Sequence, residues 1–144
     1  MATFHGQVNI TPATANDNWT LDAAANEQVR IIAIEFGGES TATTAMRTRT
    51  TRSASGVTPT AGSVQVVSPH VTLTNLVTFA STWTTQPTLT AGALFEISWN
   101  SHGGVVRWAA AQPDEELALV GAAHISNRNA VGTGVSSYGV TWKE

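Results

Sequence analysis

The stretch Gln28-Val29-Arg30-Ile31-Ile32-Ala33-Ile34-Glu35-Phe36, closed by Gly37-Gly38, decides the fold class. Its β-branched and apolar side chains suit a pleated surface, whereas branching at Cβ costs rotamer freedom in a helix, so the run predicts a strand. Strict alternation places Ile32, Ile34 and Phe36 on one face. The same signal repeats outward from this run. Residues 45–52 alternate at Arg47, Arg49 and Thr51 and end in the turn cluster Ser53-Ala54-Ser55-Gly56. Residues 63–67 form a short strand stopped by Pro69. Residues 93–99 set Phe95, Ile97 and Trp99 against Leu94, Glu96 and Ser98. Residues 100–104 then turn and residues 105–109 resume, which predicts a hairpin. Pro113 fixes φ for a further turn. Residues 116–123 give another strand, and Tyr138, Val140 and Trp142 mark the last one. Helix signals are confined to residues 21–28 and 75–81.

About eight short strands joined by Gly, Pro and Asn turns, with little helix, predict an all-β fold. A β-sandwich is the expected architecture and a jelly roll its leading version. Residues 1–144 read as one domain. The expected core is Ile32, Ile34, Phe36, Phe95, Ile97, Trp99, Trp108, Val140 and Trp142. Residues 1–20 read as an extended N-terminal arm. Phe4, Val8 and Ile10 alternate with polar residues there, and Pro12 makes residues 11–16 irregular. Such an arm can leave its own sandwich and add to a neighbour's sheet edge. The plainer reading is a first strand within its own sheet.

Charge is scarce. Of the 144 residues 12% are charged, against about 25% in an average domain, and Lys143 is the only lysine. A net charge of −3 argues against nucleic-acid binding, which needs a basic face. Apolar runs fall short of the ~20 residues of a membrane helix, so no membrane partner is expected. The opening MATFHGQVNI lacks the basic and apolar regions of a secretory signal, so the chain is expected to be made in a cytoplasm. In place of charge stand 22 threonines and 11 serines. Lysine and glutamate normally guard sheet edges against strangers. A sheet protein without them is expected to commit its edges to fixed partners.

Motifs for chemistry are missing from the sequence. With no cysteine there is neither a disulfide framework nor a thiolate. His5, His70, His102 and His124 are at least 22 residues apart, and none forms the His-x-His pair with which one strand offers two imidazoles to a metal. No Gly-x-Ser-x-Gly elbow occurs. Asp114-Glu115-Glu116 at a proline turn reads as a solvated loop rather than a convergent acid–base pair. No catalytic residue, metal site or cofactor is therefore expected, and the chain does not read as an enzyme. Trp19 and Trp83 sit in less regular segments, where core, interface and ligand platform are all open readings. Arg47, Arg49 and Arg52 form the one basic cluster. It is either an ion-paired sheet face or an anchor for a partner's carboxylates, which arginine grips bidentately.

Residues 83–89 (WTTQPTL) and 100–110 (NSHGGVVRWAA) resemble a family of tailed-bacteriophage capsid decoration, or cement, proteins. Residues 24–30 (AANEQVR), Arg47, Arg52, the 113–116 turn and the closing VTWKE over 140–144 extend the likeness to most of the chain from about Leu21 onward. One departure is Gln112-Pro113-Asp114-Glu115, where Pro-Gly is expected before the acidic pair. The resemblance implies a β-sandwich, seated as a homotrimer on the major capsid protein at the outer surface of the virion, and it supplies no catalytic residues. Phe4, Val8, Ile10, Trp19, Arg47, Arg49 and Arg52 are the candidate subunit or capsid interface. The rival expectation is a phage surface or tail module that binds host carbohydrate.

Overall fold

The computed structural model describes residues 1–54, 56, 59–67 and 75–144. Ser55 of the expected turn cluster, Pro69 and His70 lie outside them. Among the described residues twelve strands form: β1 (Thr3–Ile10), β2 (Asp17–Asp22), β3 (Gln28–Gly38), β4 (Ala45–Ser53), β5 (Thr60–Ala61), β6 (Val64–Val66), β7 (Thr78–Thr82), β8 (Leu89–Asn100), β9 (Val106–Ala109), β10 (Leu117–Val120), β11 (His124–Val131) and β12 (Ser136–Lys143). Their alternating residues build two six-stranded antiparallel sheets that pack as a sandwich. The first runs β10-β3-β12-β1-β6, with β9 also on β3, and the second runs β5-β7-β2-β11-β4-β8. The pairing is nested: β1 with β12, β2 with β11, β3 with β10 and β9, β4 with β8, alternately in the first and second sheet. The inserted strands β5, β6 and β7 widen both sheets.

Aromatic rings join the sheets. Phe36 stacks on Trp99 at 5.0 Å, and Tyr138 meets both rings edge-on at 6.0 and 5.9 Å. At the other end Trp142 lies 6.0 Å from Phe4 and 6.5 Å from Phe79. A Cβ on Gly6 would stand 2.8 Å from the Phe79 ring, so glycine lets that ring lie against the β1 backbone. The second sheet's inner face is partly polar. Asn127 Nδ2 donates to Thr48 Oγ1 and Thr50 Oγ1 at 3.3 and 3.2 Å, and Asn18 Nδ2 donates to Asn127 Oδ1 at 2.8 Å. Buried amides and hydroxyls are tolerable when paired in this way.

Several expectations are corrected. Ile34, Phe36, Trp99, Val140 and Trp142 are buried, and Phe95, Ile97 and Trp108 pack against the core from its margin. Ile32 does not join them. The β3–β12 register shifts between Thr141 and Trp142, so Val29 and Ile31 face inward before the shift and Ile34 and Phe36 after it. That bulge breaks the alternation on which Ile32 was counted. The expected hairpin over 93–109 is also absent, because β8 pairs with β4 and β9 with β3 in opposite sheets. Residues 21–28 end β2 and turn at Asn26, whose φ is 71°. Residues 78–82 are a strand, preceded by Asn75, whose side chain bonds the backbone of Val77 at both N and O. The N-terminal segment is no arm: β1 lies between β12 and β6, in unbroken register with β12 from Thr3 to Ile10.

Candidate interface on the second sheet

The order of the second sheet sends the chain from β7 to β8 across β2, β11 and β4. Residues 83–88 make that crossing as a strap over the sheet's outer face. Arg128 Nη2 donates to the Pro87 carbonyl at 2.6 Å, the Asp17 N–H donates to Gln86 Oε1 at 2.9 Å, and the Ala54 N–H donates to the Thr88 carbonyl at 2.9 Å. Pro87 is buried. The Trp83 ring packs so closely under Gly56 that a Cβ there would overlap it. Trp83 is thus half-buried packing for the strap. Trp19 is fully buried in the core. Trp19 therefore presents no face to a ligand, whereas Trp83 lines a surface pocket together with Pro12, Asn16 and Gln86.

Register partners on antiparallel strands share a face. One row across the outer face therefore reads Asp17, Arg128, Arg49, Glu96. Arg128 grips Asp17 through Nε to Oδ1 at 2.6 Å and Nη2 to Oδ2 at 3.2 Å. Burial under the strap pushes the Asp17 carboxyl above its ordinary 3.8, against the pull of Arg128. At the open end of the row Glu96 serves two cations, Arg49 at 3.3 Å and Arg47 at 3.9 Å. One positive charge remains in excess on an exposed surface. The geometry fits the bidentate capture of a carboxylate beside the β8 edge.

The sequence candidates divide sharply. Phe4 and Trp19 are core residues, and Val8 and Ile10 pack against the core. They were counted toward an interface because β1 was read as an arm and Trp19 as irregular, yet Trp19 alternates in phase with buried Leu21 in β2. Arg47 and Arg49 lie together on the outer face. Arg52 does not, because its odd spacing from Arg47 and Arg49 turns it to the other side of β4, where its Nη2 donates to the Ala118 carbonyl of β10 at 3.3 Å and ties the two sheets together. Sequence reading missed Arg128 and Asp17. The two stand 111 residues apart on β2 and β11, and only the sheet order brings them into one row.

Two further groupings define what else the surface holds. Glu116 receives Lys143 at 3.0 Å and Arg30 at 3.5 Å, and these partners, Lys143 foremost, hold its carboxyl below the ordinary 4.5. Asp22, His124 and Ser53 stand in one register row, with His124 Nδ1 2.8 Å from Asp22 Oδ1. Burial raises the Asp22 carboxyl. The Ser53 hydroxyl is buried and makes no hydrogen bond to His124. Among the described residues no group of three or more His, Cys, Asp and Glu is placed to hold a metal. No protein-family model, curated protein or solved structure matches the chain.

Proposed function

We propose that this chain is a structural virion protein that decorates a bacteriophage capsid and braces it by bridging copies of the major capsid protein. We read its nested strand order as that of a jelly roll widened by β5, β6 and β7. The observation that carries the proposal is the margin of the second sheet. β8 is a twelve-residue terminal strand without lysine, arginine or proline; its one charge, Glu96, is paired with Arg47 and Arg49, and residues 95–100 pair with β4 without a bulge. Exposed edges of that length are normally guarded by charge or proline, and a strand left open is suited to a permanent neighbour. Modest contacts repeated over a symmetric shell add up through effective concentration. The resemblance of residues 83–89 and 100–110 to cement proteins supports the same role. The test is the ratio of this chain to the major capsid protein in purified particles, by quantitative mass spectrometry. Decoration gives a fixed simple ratio, whereas a few copies per particle would place the protein at a vertex or tail and refute it.

A second reading has one observation in its favour. A groove of about 360 Å³ on the outer face of the first sheet is lined by His5, Gln7, Asn9, Glu39, Gln65 and Ser137, among others. Its amides and hydroxyls both donate and accept, as recognition of a sugar requires. Glycan-array binding by the full chain, lost in Gln7→Ala, would favour that reading over the first.

A further inference from the structure

The four outer strands other than β8 are short: β5 has two residues, β6 three, and β9 and β10 four each. β8 has twelve and, among the described residues, pairs with β4 alone. A closed ring of three copies joins two different edges, so pairing through β8 would be limited by a partner edge of at most four residues. Pairing β8 with itself has no such limit. The β8–β4 register is unbroken from Asn100 to Phe95 and shifts only beyond, so residues 95–100 form a regular stretch ready for another strand. The same margin is apolar. Phe95 stacks on Trp108 at 5.3 Å with both rings half-buried, while Leu94 is 41% and Val105 73% exposed.

We propose that this margin joins two copies of the chain, β8 pairing antiparallel with β8 of a second copy about a two-fold axis at Ile97. Three constraints leave Ile97 or Ser98, and Ile97 is selected because it sets Phe95 opposite an apolar residue rather than Ser101. Opposed residues must share a face, which excludes an axis between residues. An axis at Glu96 would set two carboxylates opposite each other. An axis at Phe95 or Leu94 would carry the pairing into the bulged half of the strand. At Ile97, Phe95 opposes the partner's Trp99, Ile97 opposes its own copy, and Glu96 opposes the partner's Ser98. Each added strand also covers the exposed side of the Phe95–Trp108 stack. This replaces the three-fold association implied by the resemblance; it rests on the same open β8 edge as the proposed function, makes a second copy that edge's permanent neighbour, and leaves Arg47 and Arg49 on the outer face toward a shell.

The test is native mass spectrometry and sedimentation velocity of the full chain at micromolar concentration. Dimers are expected as the main species. Ser98 is exposed on the outer face of β8 and opposite Arg47, so a thermal melt of each variant is recorded beside its association to separate an effect on the monomer from one on pairing. Ser98→Glu places a carboxylate against Glu96 twice per dimer and weakens association about tenfold. Ser98→Lys places a cation there and leaves association unchanged or tighter. Monomers or trimers as the main wild-type species overturn the proposal, and so does an equal response to the two substitutions. Because no capsid enters the experiment, its failure would leave the decoration reading to be judged separately.

Discussion

Trp99 and Trp108 come from neighbouring stretches of sequence yet belong to different environments. Trp99 lies against Phe36 and Tyr138, while Trp108 packs only at the margin with Phe95. Trp99→Ala is therefore expected to cost about 3–5 kcal/mol, as loss of a buried large aromatic does. Trp108→Ala is expected to cost about 1.5–3 kcal/mol, the worth of burying one apolar side chain. Chemical denaturation separates the two, and equal losses would mean the margin is already closed in the free chain. Arg128→Ala should be severe, about 3–5 kcal/mol, because it strands the buried Asp17 carboxylate and frees the strap at Pro87. Glu116 sets an acid limb. Its carboxyl is held below 4.5 in the folded chain, so the stability it contributes is present above that value and lost as pH falls through the lowered one. Glu116→Gln removes this part, and its melting temperature should fall less steeply than wild type below about pH 4.5. Asp17 and Asp22, both raised, act in the opposite sense, losing stability as pH rises through the range above 3.8.

At the scale of elements, β1 decides between the two readings of the N-terminal segment and takes the plainer one, a first strand within its own sheet. Read as an arm it would be dispensable, but it supplies Phe4 to the Trp142 cluster and pairs along its whole length with β12. Deleting residues 2–12 should abolish cooperative unfolding, seen as loss of the circular dichroism melt. A truncated chain that melts like wild type would return the segment to the role of an arm. The strands most legible in the sequence were those whose alternation runs undisturbed: residues 93–99 and the Tyr138, Val140, Trp142 series keep their assigned faces. β3 was legible as a strand but not in its faces, because a bulge is set by the partner strand and leaves no mark in the local pattern. The 93–109 hairpin failed for a related reason. A short turn is equally able to carry the chain from one sheet to the other, and only the competing partners β3 and β4 decide between the two outcomes.

For the whole molecule, composition spoke more clearly than motif. Scarcity of charge was read as edges committed to fixed partners; within the chain the cations are largely spent on its own carboxylates, Arg30 and Lys143 on Glu116, Arg107 on Glu35, Arg128 on Asp17. The threonines that stand in place of charge also serve the interior: Thr20, Thr48, Thr50 and Thr51 are buried, two of them within the Asn127 network. The candidate interface was half legible. Arg47 and Arg49 come from alternation along one strand, but the strap and the open edge of β8 depend on which strand ends the sheet, a property of the whole topology.

The central claim is that the chain braces a shell, and calorimetry of purified undecorated capsids with and without added protein tests it most directly. The account predicts saturable binding, measured by co-sedimentation, and a higher melting temperature of the decorated shells. Saturable binding without any change in shell melting, or no co-sedimentation at all, would contradict it.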